Sequence, residues 1–367
     1  MDRANLFSPI NMGDLTLSNR VLMAPLTRNR SHSDGTPTEM AHIYYNQRAA
    51  AGLIFSEATQ ISAVAKGYLD TPGIYTDKHV KGWKPITDAV HAGGGLIFCQ
   101  LWHVGRISHV SVLPDGKSPV APSAIQADAQ TFTADGFQDC SEPVALTKDG
   151  IKDTIADFVK AAKCAKDAGF DGIEVHSANG YLLDQFLQDG TNKRDDEYGG
   201  SLENRTRFLA EILEAVSEIW PRNRIGVRLS PLGHAGDISD SDPEATFSYV
   251  YEMLDKQKLA YLHVVEKFPG NDADDAEESL IKKLRGLYSG FYIGNGGYDA
   301  ESAAKAIGSG HAHAITFGRP FIANPDLPER YRVEADLNTP DDETFYGGGA
   351  EGYIDYPFLS REGEDAK

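Results

Sequence analysis

Short apolar runs recur along the whole chain, and stretches with the apolar spacing of helices lie between them. Runs that are apolar almost throughout are expected for strands covered on both faces of a sheet. The predicted strands are Val21–Leu26, Leu53–Ala58, Leu96–Leu101, Gly172–His176, Ile225–Leu229, Tyr261–Val265, Phe291–Gly294 and Ala314–Phe317. The predicted helices are Thr38–Ala51, His79–Ala92, Lys152–Ala168, Leu202–Ile219, Pro243–Leu254 and Ala300–Ile307.

The alternation of strands and helices predicts repeated β-then-α units around a parallel sheet. Signals at helix ends agree with this interpretation. Gly169 follows a predicted helix as a C-cap glycine, and Asp242 stands before Pro243 as an N-cap. Eight strands over 367 residues favour an α/β fold of the (β/α)8 TIM-barrel type. A doubly wound open sheet is the alternative.

Two segments lack the helical period and are predicted to close the ends of the barrel. Residues 7–19 carry a turn sequence between short alternating runs, which predicts an N-terminal β-hairpin at one end. Residues 105–147 are rich in Pro, Gly, Ser and Asp and predict a capping excursion between the third and fourth strands. We expect residues 1–367 to form a single TIM-barrel domain with a loose tail at 361–367.

Charge and composition exclude several classes of function. The chain has 35 Lys and Arg against 54 Asp and Glu, a formal net charge of −19 that repels nucleic acids and anionic lipids. We therefore expect no nucleic-acid or membrane partner, and no run approaches the roughly 20 apolar residues of a membrane span. The N-terminus does not read as a secretory signal, and the three cysteines are too far apart for a disulfide framework or zinc site. These features predict a cytoplasmic protein.

The most specific polar group follows the fourth predicted strand, at the barrel end where active sites form. His176 and Asn179 can both donate hydrogen bonds to one oxygen atom, which resembles an oxyanion clamp. Tyr181 lies two residues further on and is protonated at neutral pH, so it can act as a proton donor. The alternative is a polar cluster that only begins a helix over Tyr181–Leu187.

Other strand ends offer groups that suit a planar polar heterocycle. Gln100 supplies an amide, Arg228 a fixed guanidinium and Thr27 a hydroxyl, all directed to the same mouth. Arg228 by itself could equally be part of a structural ion pair. The set as a whole is more informative than any member.

Glycine turns follow the last two strands. Gly296, Gly297 and Gly318 can present backbone N–H groups to a phosphate, and Arg319 supplies the opposite charge. Tight strand-to-helix turns without a ligand are the alternative. Phosphate binding is favoured because two such turns occur on neighbouring strands.

Candidate residues for two other chemistries also occur. His311 and His313 have a possible metal-ligand spacing, but they precede the eighth strand and so lie at the opposite face of the barrel, and no metal site is predicted. Lys267, just past the sixth strand, could act as the Schiff-base lysine of a lyase.

Several long segments, in the same order, resemble the Old Yellow Enzyme family of FMN-dependent ene-reductases. The chain is most similar to the bacterial pentaerythritol-tetranitrate and N-ethylmaleimide reductase branch. The segments that carry this resemblance are 19–28, 56–62, 100–106, 176–187, 198–205, 317–319 and 345–353. The resemblance extends over nearly the whole chain.

The resemblance implies an oxidoreductase in which NADPH or NADH reduces bound FMN and an activated alkene such as an enone is then reduced. Hydride passes to the β-carbon, His176 and Asn179 polarise the carbonyl, and Tyr181 protonates the α-carbon. The flavin-contacting residues implied in this way are Pro25, Leu26, Thr27, Ala58, Gln100 and Arg228, with Gly296, Gly297, Gly318 and Arg319 at the phosphate. Tyr68, Trp102 and Tyr353 match positions in the substrate-pocket wall.

Two features depart from the pattern of some relatives. Some relatives have His where Asn179 stands, which changes one donor of the clamp. Residues 126–138 contain no Arg, which leaves the preference for NADPH or NADH undecided. The alternative functions are a flavin protein with another oxidant such as a nitroester, a flavin-binding module without turnover, and the Lys267 lyase. A monomer and a homodimer are both compatible with the sequence.

Overall fold

In a computed structural model, which describes residues 3–267 and 275–360, parallel strands form a closed barrel. The last strand pairs with the first, and the third pairs with the fourth, so the ring has no free edge. The strands are β1 (Val21–Met23), β2 (Ile54–Phe55), β3 (Ile97–Trp102), β4 (Gly172–His176), β5 (Ile225–Leu229), β6 (Tyr261–Val265), β7 (Tyr292–Asn295) and β8 (Ala314–Phe317). The TIM-barrel prediction is confirmed, and the open-sheet alternative is wrong.

Helices cover the outside of the barrel between successive strands. The seven that follow β1 to β7 are α1 (Met40–Asn46), α2 (Asp77–Ala92), α3 (Lys148–Asp167), α4 (Leu202–Ser217), α5 (Pro243–Gln257), α6 (Asp275–Arg285) and α7 (Ala300–Gly308). Shorter helices span Leu182–Leu187, Arg319–Ala323 and Leu327–Arg332, and 3-10 turns span Ala4–Phe7, Ala63–Ala65, Val110–Val112, Pro114–Gly116, Arg222–Arg224 and Asp342–Thr344. As predicted, the Asp242 carboxylate caps α5 by accepting a 3.0 Å hydrogen bond from the Ala245 N–H.

The first two strands are shorter than their apolar runs predict. β1 ends before Pro25, which has no N–H to donate to a neighbouring strand. Beyond β2, side-chain hydroxyls replace the regular ladder, because the Gln100 N–H donates to Ser56 Oγ at 3.0 Å and Thr59 Oγ1 donates to the Glu57 carbonyl. Pairing with β3 then resumes at Thr59–Gln60.

The N-terminal hairpin pairs Ile10–Met12 with Leu15–Leu17 in antiparallel register, as predicted. Met12 and Leu17 are fully buried against apolar side chains at the amino ends of the strands. We call this group the floor of the barrel: Met12, Leu17, Leu22, Leu53, Phe55, Phe98, Ala260, Tyr261, Ile293 and Ala314. The hairpin therefore closes the end of the barrel opposite the predicted site.

The excursion between β3 and α3 covers part of the other end. It contains a hairpin of Gln130–Thr133 with Gly136–Asp139, and a parallel pair of Val120–Ala121 with Val144–Ala145. Its Ala127 and Cys140 pack with Trp102 at the end of β3, as the capping prediction requires. The predicted loose tail, 361–367, lies outside the described residues. None of the described helices is long and apolar enough to cross a membrane.

Candidate active site

A cavity of about 580 Å³ opens at the carboxyl ends of the barrel strands. This volume lies in the range of small-molecule and cofactor sites. The predicted residues that line it are Pro25, Leu26, Thr27, Asn179, Arg228, Gly296, Gly297, Gly318 and Arg319. Lys267, the candidate Schiff-base lysine, also lines it. The predicted residues outside its lining are Ala58, Tyr68, Gln100, Trp102, His176, Tyr181 and Tyr353.

The end of β4 is held in an unusual backbone conformation. Asn179 has a left-handed φ of 58°, and its N–H donates to Ser230 Oγ at 2.7 Å. The next N–H, that of Gly180, donates to the buried Asp184 carboxylate at 2.9 Å. A Cβ atom on Gly180 would lie 1.9 Å from the Ala235 carbonyl oxygen, so this position requires glycine. The turn that carries Asn179 is thus fixed from both sides.

Tyr181 stands in an aromatic group with the other predicted residues of this end. Its hydroxyl lies 3.2 Å from the Tyr68 hydroxyl. Its ring meets the edges of His176 and Trp102 at centroid distances of 5.3 and 5.1 Å. Tyr68 in turn stacks on Trp102 at 5.9 Å. The fold therefore brings Tyr68 and Trp102, from two other parts of the chain, against the His176–Tyr181 turn.

Burial sets the protonation of the two titratable members of this group. Burial raises the pKa of Tyr181 above its usual value, so its hydroxyl keeps its proton at neutral pH. Burial, together with nearby Arg228 and His263, lowers the pKa of His176 well below its usual range. His176 is therefore a neutral hydrogen-bonding group rather than a cation.

Several buried polar atoms around the cavity have no hydrogen-bond partner among the described residues. They are Gln100 Oε1, Trp102 Nε1, His176 Nδ1, Asn179 Oδ1 and Arg228 Nε. Five such atoms around one cavity are the hydrogen-bonding groups that a polar ligand bound there would use. Gln100 Oε1 can accept a hydrogen bond, and Arg228 Nε can donate one. The pair therefore suits a planar ring that carries both an N–H group and a hydrogen-bond acceptor. The isoalloxazine ring of FMN has both.

The side of the cavity formed by β7 and β8 suits a phosphate. Gly296 has a φ of +136°, and a Cβ there would lie 2.6 Å from the Lys267 N–H nitrogen. Gly297 is also left-handed, and Gly318 precedes an exposed Arg319 at the start of a short helix. Close backbone approach and a cationic side chain are the features that phosphate binding needs. The residues present therefore fit the phosphate of FMN.

Tyr353, predicted in the pocket wall, packs against other aromatic and cationic side chains in the structure. It is 1 % exposed and stacks on Tyr44 at 4.3 Å, with the Arg30 guanidinium over its ring at 4.7 Å. Tyr346, which the sequence interpretation passed over, is 69 % exposed and lines the cavity together with Phe345. Both tyrosines belong to the segment 345–353, and they are seven positions apart. Only the path of the chain shows which one faces the cavity.

The sequence interpretation also missed a buried polar layer beneath the cavity. Glu174, His263 and Thr316 lie inside the barrel on β4, β6 and β8 and are almost completely buried. The available signal was a polar residue in the middle of each of three apolar strands. His311, by contrast, pairs with Glu266 at 2.6 Å, and no metal-binding cluster occurs in the ranges that the structure describes.

A closed (β/α)8 barrel with a polar cavity at the carboxyl ends of its strands defines a TIM-barrel enzyme. The chain belongs to the NADH:flavin oxidoreductase / NADH oxidase family, whose model matches residues 5–339. This membership confirms the resemblance drawn from the sequence. The chain is an oxidoreductase that uses FMN and a nicotinamide cofactor.

Individual relatives match nearly end to end. 12-Oxophytodienoate reductase 1 of Oryza sativa subsp. japonica is 45% identical, over 99% of this chain and 95% of the relative. Morphinone reductase is 50% identical with a TM-score of 0.93 over 98% of both chains, and a structure of that reductase in complex with tetrahydroNAD has a TM-score of 0.91. The old yellow enzyme homologue from Zymomonas mobilis is 45% identical with a TM-score of 0.93, over 96% of this chain and 99% of that one.

Proposed function

We propose that the protein is an ene-reductase that reduces the C=C bond of α,β-unsaturated carbonyl compounds with FMN and NAD(P)H. The observation that carries the proposal is the meeting of a protonated tyrosine, Tyr181, with two hydrogen-bonding groups, His176 and Asn179, beside a cofactor-sized cavity. A flavin-binding module without turnover would not need this set. Known activities of the relatives, which reduce 12-oxophytodienoate and morphinone by name, support the same substrate class.

FMN, when bound, supplies hydride to the β-carbon of the alkene, and NAD(P)H supplies the hydride that reduces FMN again. We propose that Gln100, Arg228 and Thr27 hold the ring, with Pro25, Leu26 and Ala58 as further contacts. Gly296, Gly297, Gly318 and Arg319 hold the phosphate. Thr27 and Arg228, which would hold the ring, and Gly296 and Gly318, which would hold the phosphate, line one cavity.

The residues at the end of β4 act on the substrate. As hydride reaches the β-carbon, negative charge builds on the carbonyl oxygen, and His176 and Asn179 stabilise it by donating hydrogen bonds. Tyr181 gives its proton to the α-carbon, and the raised pKa of Tyr181 keeps that proton available at neutral pH. Tyr68, 3.2 Å from the Tyr181 hydroxyl, lies in position to relay a replacement proton. Trp102 and Tyr346 shape the space that the alkene occupies.

The test is one anaerobic titration of the purified protein followed by its visible spectrum. We expect a yellow protein whose flavin absorption bleaches with NADPH or NADH and returns when 2-cyclohexenone is added. If the flavin absorption returns with a nitroester but not with the enone, the oxidant is a nitroester and not an activated alkene. A colourless protein that FMN cannot reconstitute would overturn the proposal and favour the lyase chemistry of Lys267.

We also propose that the protein works in the cytoplasm on free small molecules. Its three cysteines, Cys99, Cys140 and Cys164, are buried and unpaired by disulfides, which suits a reducing compartment. Light scattering after gel filtration distinguishes the monomer from the homodimer. We expect the whole chain to act as one catalytic domain.

A further inference from the structure

A polar layer crosses the barrel interior between the floor and the cavity. The Glu174 carboxylate accepts a 2.7 Å hydrogen bond from Gln100 Nε2 and lies 2.9 Å from His263 Nδ1. On the other side of the imidazole, His263 Nε2 lies 2.9 Å from Thr316 Oγ1. These four residues come from β3, β4, β6 and β8, so the layer exists only because the barrel closes.

The protons in this layer have one consistent arrangement. Burial lowers the pKa of His263 in spite of the neighbouring Glu174, so the imidazole is neutral. Its Nδ1–H then donates to Glu174, and its Nε2 accepts from the Thr316 hydroxyl, which also lies 3.2 Å from the Gly294 carbonyl oxygen. Two donors, Gln100 Nε2 and His263 Nδ1, are thus directed toward the carboxylate. The Gln100 amide has no freedom to turn over, and its oxygen is the atom left without a partner among the described residues.

The carboxylate also acts through its charge. Glu174 is completely buried and interacts electrostatically with Arg228, whose Nη2 donates to Asn295 Oδ1 at 3.0 Å. Glu174 favours the charged form of Arg228, which burial opposes. A buried charge is poor evidence for stability, because apolar packing often serves as well. Its place beneath a polar cavity and above an apolar floor calls for another role.

We propose that Glu174 is a positioning residue for the cofactor: it fixes the orientation of the Gln100 amide and, with Arg228, sets the reduction potential of bound FMN. This inference rests on the proposed placement of FMN against Gln100 and Arg228. With Glu174 in place, Gln100 presents an acceptor to the ring. The fixed negative charge opposes the gain of electrons by the cofactor, and so lowers its potential.

The decisive measurement is the reduction potential of bound FMN in Glu174→Gln, determined by spectral titration against a reference dye. Gln has the shape of Glu without its charge, and His263 can change tautomer to accommodate it. We expect the variant to bind reduced FMN at least tenfold more tightly, relative to oxidised FMN, than the parent protein does. For a two-electron couple, this is a potential about 30 mV more positive.

Glu266→Gln is the matched control. Glu266 is also a buried carboxylate, and its neighbour in the chain, Lys267, lines the same cavity. Its hydrogen-bond partners, however, are Tyr292, Tyr298 and His311 rather than Gln100. The reduction potential of FMN bound to Glu266→Gln should stay close to that of FMN bound to the parent protein. An equal potential in Glu174→Gln, Glu266→Gln and the parent would overturn the inference.

A second variant separates orientation from charge. Glu174→Asp keeps the charge but withdraws it from Gln100, so oxidised FMN should bind several-fold more weakly while the potential stays below that of Glu174→Gln. If Glu174→Gln fails to fold, this variant decides alone: weaker FMN binding at an unchanged melting temperature supports the inference, and unchanged binding overturns it.

Gln100→Leu distinguishes failure of the inference from failure of the proposed function. If FMN affinity is the same in Gln100→Leu as in the parent, FMN does not contact this amide, and the proposed placement of the cofactor is wrong. If Gln100→Leu weakens FMN binding while the Glu174 variants change nothing, only the role of Glu174 is wrong.

Discussion

The two ends of this barrel are built on opposite principles. At the floor, apolar side chains such as Leu17, Phe55 and Phe98 are completely buried. At the carboxyl ends, buried polar atoms of Gln100, His176 and Arg228 have no partner among the described residues. A floor of this kind adds to stability, whereas unpartnered polar groups cost stability and are retained for a ligand. The barrel therefore separates folding from chemistry along the strand axis.

Single strands pass through both regions. β3 contributes Phe98 to the floor, Gln100 to the polar layer and Trp102 to the aromatic group at the mouth. Residues two apart on a strand point to the same face. Moving two residues along β3 therefore leads from the floor to the polar layer, and two more residues lead to the mouth. Substitutions at different levels of one barrel should consequently change different properties.

The largest effect is expected at the mouth. Tyr181→Phe removes the proposed proton donor and should slow alkene reduction by about 10²- to 10⁴-fold, the usual range for a general acid. Reduction of FMN by NAD(P)H, which needs no such proton, should be nearly unchanged. Anaerobic stopped-flow absorbance measures the two half-reactions separately. Tyr198→Phe, in a buried tyrosine bonded to Glu211, is the control, and equal losses in both half-reactions would count against the donor role.

A change at the floor should have the opposite profile. Leu17→Ala removes a fully buried side chain of the closing hairpin and should lower the free energy of unfolding by about 2 to 5 kcal/mol. Urea unfolding followed by tryptophan fluorescence measures this loss. The rate of enone reduction by the folded variant should match that of the parent, and a large change in rate would contradict the separation of the two ends.

The next effect concerns one arm of the oxyanion clamp. His176→Ala should slow alkene reduction by about 10²- to 10³-fold, as loss of a single oxyanion-hole donor does. It should also weaken binding of a phenol, which mimics the enolate, and the phenol affinity is read from the change in the flavin spectrum. Unchanged phenol affinity would remove His176 from the clamp.

The smallest effect is a change in pH dependence beside the clamp. Burial raises the pKa of Asp184 from 3.8 to about 7, so the folded protein holds a proton that the unfolded chain releases. This carboxyl therefore makes stability fall as pH rises from about 4 to 7, by at most about 1.4 kcal/mol per pH unit. Asp184→Asn cannot ionise and should flatten that fall. Melting temperatures measured at pH 5 and pH 8 test this, and parallel curves for parent and variant would refute it.

The regular part of the fold could be predicted because its signals are local. Four of the eight strands have the predicted bounds, from Gly172–His176 to Ala314–Phe317, since a run buried on both faces is apolar from end to end. Bounds failed where side chains took over backbone pairing, as at Ser56, or where Pro25 removed a donor. Neither event changes the apolar pattern.

The sequence by itself predicted that His176, Asn179 and Tyr181 stand together at the end of one strand, because only a short turn separates them. It also predicted the hairpin over residues 7–19 that closes the other end of the barrel, because turn residues stand between two short alternating runs. Only the tertiary structure decided that Tyr353 packs in the core while Tyr346 reaches the cavity. Likewise, Glu174 meets His263 across 89 positions of the chain only once the barrel closes, since contacts of that kind depend on the path of the whole backbone.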